Sequence, residues 1–95
     1  MSKLTIIAHI EANSDKIAFI KEELEKLIEP TRKEKGCLNY NLHQDNDKPE
    51  QFLFFENWES RELWQTHMQS EHLQAFVKSS EGALKSLVIQ EMSEV

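Results

Sequence analysis

Along residues 3–11 the apolar side chains fall on every second position, with Leu4, Ile6, Ala8 and Ile10 on one parity. A period of two predicts a half-buried strand. The period then changes. Ile17, Ile20, Leu24, Leu27 and Ile28 recur at three- and four-residue spacing, and Lys16, Lys21, Glu22, Glu23, Glu25, Lys26 and Glu29 fill the other face. That pattern predicts an amphipathic helix, with Asn13 or Ser14 as its cap. Pro30 has no N–H and its ring blocks the preceding turn, so the main helix is expected to kink or end there, with one further turn through Lys33. Gly36 supplies a left-handed exit.

Alternation resumes over residues 37–43, with Leu38, Tyr40 and Leu42 on one face. The polar segment 44–50 reads as a hairpin connection, and a third strand follows over residues 51–58. Ser60 opens a helix holding Leu63, Trp64, His67 and Met68, and Ser70 recaps a second short helix with Leu73, Phe76 and Val77. Residues 84–92 complete the pattern as a fourth strand. The order is β-α-β-β-α-β within one domain, residues 1–95. It predicts an α+β, ferredoxin-like fold: a four-stranded antiparallel sheet with helices on one face.

The third strand breaks its own alternation, since Phe52, Leu53, Phe54 and Phe55 are consecutive. Helices cover only one face of the sheet, so the second apolar face needs another cover. A second copy of the same face is the simplest, which predicts an isologous homodimer through the sheet, helped by Ile7 and Val88 or Ile89. The chain's small size points the same way, because a 95-residue domain has a marginal core of its own.

Composition narrows the choice of partner. The net charge is −6, without a basic stripe, so neither nucleic acid nor an anionic membrane is expected to bind. No stretch approaches the roughly 20 apolar residues of a membrane span, and residues 1–12 alternate and carry charge, unlike a signal peptide. The single cysteine, Cys37, allows no internal disulfide and suits a reducing cytoplasm, the expected location. Cys37 itself reads as a small buried hydrophobe and not as a nucleophile.

Three blocks carry a family resemblance. Gly36-Cys37-Leu38-Asn39-Tyr40 is followed by Phe52-Leu53-Phe54-Phe55-Glu56-Asn57-Trp58 and then by His67-Met68-Gln69-Ser70-Glu71-His72. In order and spacing they resemble the antibiotic biosynthesis monooxygenase family, in particular its small quinol-monooxygenase type. The resemblance implies a dimeric α+β barrel with a pocket between sheet and helices in each subunit. It also implies a small aromatic substrate, hydroquinone-like or polycyclic and phenolic, oxygenated by dioxygen with no flavin, haem or metal cofactor.

The residues that suit such chemistry are few. Glu56 shares one strand face with Phe52, Phe54 and Trp58, so burial there would raise its pKa and make it a base or a partner for histidine. It also reads as a purely structural carboxylate. His67 and His72 titrate near neutrality and suit proton transfer from a phenol, or else they cap and pack. Tyr40, Phe54, Trp58 and Trp64 offer stacking surfaces for a flat substrate, and equally read as core. Asn39, Asn41 and His43 lie on the face opposite Tyr40, and His9 shares parity with Ile7. His67 and His72 are five apart with a helix break between them, not the i, i+4 pair of one helix, so no metal site is expected. Haem is disfavoured because haem-degrading relatives place their ligand histidine where this chain has Val77. Two other classes stay open: an isomerase of a small phosphorylated, autoinducer-like metabolite, and a dimeric binding module without catalysis.

Overall fold

In the computed structural model, residues 3–95 are described; Met1 and Ser2, part of the expected domain, lie outside the described residues. Eight elements follow one another: β1 (Leu4–Ala12), α1 (Ile17–Glu25), α2 (Ile28–Arg32), β2 (Cys37–Gln44), β3 (Gln51–Trp58), α3 (Arg61–Met68), α4 (Glu71–Ser79) and β4 (Leu84–Met92). The strands form one antiparallel sheet in the order β2-β3-β1-β4. This is the ferredoxin-like arrangement the pattern predicts; the break at Ser70 falls where expected, while the first helix ends at Glu25, before the expected end at Pro30. No helix among the described residues is long and apolar enough to cross a membrane.

Local chemistry explains the divisions. Pro30 lies in the first turn of α2, where its missing N–H has no intrahelical role; extending α1 through it would have set its ring against the Lys26 carbonyl, four residues back. The second division falls at Ser70, whose hydroxyl accepts from Leu73 N–H at 3.4 Å and so caps α4. Ser60 caps α3 in the same way, accepting from Leu63 N–H at 3.2 Å. The expected cap of α1 differs. Its N-cap is Lys16, without a side-chain bond. The Asn13 side chain instead donates to the Gly82 carbonyl at 3.0 Å, tying the end of β1 to the turn before β4.

Helices α1 to α4 lie on one face of the sheet, where α2 packs on β2, α3 on β3 and α1 on α4. Beneath them Leu4, Ile6, Ala8 and Ile10 of β1 and Phe52, Phe54 and Trp58 of β3 are buried. Leu38, predicted to share the face of Tyr40, is exposed. The β2–β3 register shifts between Cys37 and Asn39, and this irregularity turns Leu38 out while Cys37 packs inward. The outer face carries Ile7, Leu53, Phe55 and Val88, with Phe55 exposed and paired across the ladder with Ile7. Beyond Leu84, which packs against the core, edge strand β4 is covered on neither face: Val88 points outward, and Leu87 and Ile89 are exposed on the helical side.

Gly36 is the tightest point of the chain. Its φ is +88°, and a Cβ there would lie 2.8 Å from Leu63 Cβ and closer still to Leu63 Cδ1. Gly82 has a similar φ of +80° but open space around it. Gly36→Ala is therefore expected to cost about 3 kcal/mol, backbone strain plus the collision, and Gly82→Ala about 1 kcal/mol, strain alone. Urea unfolding of the two variants checks this; equal losses would mean that Leu63 and its helix simply give way.

Candidate functional site

A cleft opens between the helical layer and the inner face of the sheet, at the side where β4 is uncovered. Its floor is Ile6, Ala8 and Ile10 of β1, Phe54 and Glu56 of β3, and Leu87 and Ile89 of β4; Tyr40 joins them from β2. Leu24, Leu27, Trp64, His67, Met68, Leu73, Phe76 and Val77 form the helical wall. The enclosed space is about 70 Å³, and it opens to solvent at its mouth. No lysine or arginine lines it among the described residues. The Tyr40 and Phe54 rings stack with centroids 4.3 Å apart and planes 24° from parallel, giving the cleft a flat aromatic surface.

Glu56 is the anomaly in this apolar wall. It pairs across the ladder with Ile6 on one side and Tyr40 on the other, and is only 4% exposed. Its Oε1 accepts a hydrogen bond from Trp58 Nε1–H at 2.9 Å; the two side chains share a face because they are two residues apart on a strand. Burial pushes the Glu56 pKa up to about 7, against the pull of the Trp58 bond and with a further push from the Glu34 charge. The group is poised to exchange a proton near neutral pH.

A second polar cluster backs the helical wall. Glu34 stands in the turn between α2 and β2, and its Oε2 lies 2.7 Å from His67 Nδ1 and 2.7 Å from His72 Nε2. An ionised carboxylate only accepts, so each of these nitrogens carries the hydrogen. His67 is 2% exposed and wedged between the rings of Trp58, 4.8 Å away, and Tyr40, 5.6 Å away. Burial lowers its pKa, while the Glu34 bond opposes that shift. With Nδ1–H held by Glu34, Nε2 is left as the basic edge of the ring. His72 is more open and lies 3.3 Å from the Ser70 hydroxyl.

The fold thus gathers Glu56, His67, Tyr40, Phe54 and Trp64 into the cleft wall. Trp58 is not in that wall: it is fully buried behind it, against Leu4, Ile6 and Trp64, holding Glu56. His72 also lies outside the wall and reaches the site only through Glu34. Five-residue spacing does not separate the two histidines, because the break before Ser70 turns α4 so that the near nitrogen of one ring and the far nitrogen of the other meet the same oxygen. Glu34 itself escapes a reading of the sequence. In Arg32-Lys33-Glu34-Lys35-Gly36 it looks like solvated charge at a helix end; its position just before the Gly36-Cys37 exit is the one local signal. The Cys37 thiol is pushed up to about 11, by burial first and then by Glu56 and Glu34, so it stays protonated.

The fold binds the Glu56 proton more tightly than the unfolded chain does. Stability present below pH about 4.5 is therefore lost as pH rises through about 7. At roughly 1.4 kcal/mol per pKa unit the loss is about 3 kcal/mol. Glu56→Gln keeps an acceptor for Trp58 and removes the charge, so its stability is expected to exceed that of the parent at pH 8 and to converge with it near pH 4. Denaturant titrations across this range measure it; parallel curves for the two proteins would place the ionised carboxylate in water.

Known proteins share this architecture. The antibiotic biosynthesis monooxygenase family profile matches residues 3–79. Uncharacterized protein sll1783 of Synechocystis sp. is 33% identical over 85 residues, 85% of this chain and 55% of the relative, so this chain spans little more than half of that protein's length. The crystal structure of PA3566 from Pseudomonas aeruginosa superposes with a TM-score of 0.96 at 32% identity, covering 100% of this chain and 96% of that one. A crystal structure described as an antibiotic biosynthesis monooxygenase superposes with a TM-score of 0.91 at 28% identity, covering 97% of this chain and 98% of the other.

Proposed function

Because this chain belongs to the antibiotic biosynthesis monooxygenase family, we propose that it oxygenates a flat, hydroquinone-like or polycyclic phenolic molecule with dioxygen in the cleft beside Glu56. The observation that carries this reading is a buried carboxyl group, 4% exposed, in a largely apolar, aromatic wall. Such a wall binds a flat ring by burial and stacking, and the carboxylate supplies the base. Glu56 takes the proton of a substrate hydroxyl. The resulting anion is electron-rich and passes one electron to dioxygen. Recombination of the radical pair forms the C–O bond, and cleavage of the O–O bond releases water. A hydroquinone plus dioxygen thus gives a hydroxyquinone plus water, a four-electron oxidation matched by four-electron reduction of dioxygen, with no further reductant and no cofactor. In this scheme Tyr40, Phe54 and Trp64 hold the ring. His67 Nε2 offers the second proton-transfer edge, and Glu34 fixes its tautomer. His72 positions Glu34, and Trp58 positions Glu56. The phosphorylated-metabolite reading has no support from the cleft, whose described residues include no lysine or arginine to meet a phosphate.

Dioxygen uptake by the protein with reduced quinones and anthrone-like phenols, above the autoxidation background, tests this proposal. The rate is expected to rise with pH through about 7 as Glu56 ionises, and Glu56→Gln is expected to lower kcat about 100-fold or more. Ligand-induced stabilisation without uptake for any substrate would overturn it in favour of a binding module.

The outer sheet face, with Ile7, Leu53, Phe55 and Val88, is proposed to pair with the same face of a second copy. Sedimentation at micromolar concentration is expected to give a dimer, and Phe55→Lys a monomer. A monomeric parent would remove this proposal without touching the first.

A further inference from the structure

We propose that Glu34, His67 and His72 form a binding site for a divalent transition-metal ion of the zinc class. Their donor atoms, two imidazole nitrogens and one carboxylate oxygen, all lie within 4.8 Å of one another. That donor set suits zinc and its neighbours, whose ligands sit about 2.0–2.2 Å from the ion. Ligands at those distances around a tetrahedral ion stand roughly 3.3 Å apart. The carboxylate oxygen is now 2.7 Å from each nitrogen, so small side-chain rotations open the space.

Three features make the cluster more than a hydrogen-bonded junction. First, it is held in place by separate elements: the turn before β2 carries Glu34, α3 carries His67 and α4 carries His72. His67 is packed between aromatic rings and cannot swing away. Second, no lysine or arginine pairs with Glu34 among the described residues, so its charge is left to the two imidazoles. Third, access is graded: His72 and Glu34 side chains are 24% and 16% exposed, while His67 at 2% closes the inner end. An ion entering from solvent replaces the two hydrogens now pointing at Glu34. An imidazole bound to the ion through one nitrogen carries its hydrogen on the other. The Ser70 hydroxyl lies 3.3 Å from His72 Nε2. Occupancy would clamp the turn, α3 and α4 together behind the cleft wall.

The site shares Glu34, His67 and His72 with the oxygenase scheme, but metal binding is read directly and without turnover, so either proposal can fail alone. Chelator-treated protein is titrated with Zn²⁺ by calorimetry and with Co²⁺ by visible absorption. One ion per chain at micromolar affinity is expected, with d–d bands of a low-coordinate Co²⁺ and a thermal midpoint that rises with added Zn²⁺. Glu34→Gln, which still accepts hydrogen bonds, and His72→Gln are each expected to weaken binding at least about tenfold, a scale that even outer-shell changes reach. A His9→Gln, His43→Gln double variant on the outer sheet face is expected to bind as the parent does. Millimolar binding by the parent, unchanged binding in both cluster variants, or loss of binding in the outer-face variant would each overturn the proposal.

Discussion

The inner face of this sheet must bury a carboxyl group and an imidazole among aromatic rings, and most of the molecule follows from how it does so. Along β3 the buried side chains run Phe52, Phe54, Glu56, Trp58. The core divides at that carboxyl. Ala8, Ile10, Tyr40, Phe52, Phe54 and their helical partners pack on one side, and Leu4, Ile6, Trp58 and Trp64 on the other. In a domain of this size such an interruption consumes a sizeable share of the net stability. It persists because the carboxyl and the imidazole each have a partner: Trp58 two positions along the strand for Glu56, and Glu34 across a turn for His67.

The Glu34 carboxylate depends in turn on a glycine. Gly36 has no side chain to hold the α2–β2 turn away from Leu63 on α3, and its carbonyl accepts from Glu59 N–H at 2.8 Å. That close approach brings Glu34 within hydrogen-bond distance of His67 on the same helix. A change in backbone freedom at one position is thereby linked to the orientation of a ring that lines the cleft.

The uncovered edge strand is the third element of the design. Helices α1 to α4 close over β1, β2 and β3 but leave Leu87 and Ile89 of β4 exposed. The core therefore ends in an open cleft and not in a sealed layer, and the most perturbed carboxyl of the chain lies on its floor. The same economy of cover leaves Phe55 and Val88 exposed on the outer face, so apolar surface is open on both sides of the sheet.

Much of this is local and was legible from residue order. Period-two and period-four patterns define the strands and helices, because burial on one face acts through neighbours a few positions apart. The same parity rule puts Glu56, Phe54 and Trp58 on one face. The exceptions are also physical: Asn13 finds a carbonyl beside the fourth strand instead of a helix end, and a register shift turns Leu38 outward. What residue order could not supply was convergence. Glu34, His67 and His72 come from three elements, and whether their atoms meet depends on the angle between α3 and α4 and on the reach of one turn. The same holds for which aromatic rings face the cleft and which, like Trp58, stand behind it. Periodicity determines the face a side chain takes; only packing decides what it meets there, because those distances are set by the whole fold at once.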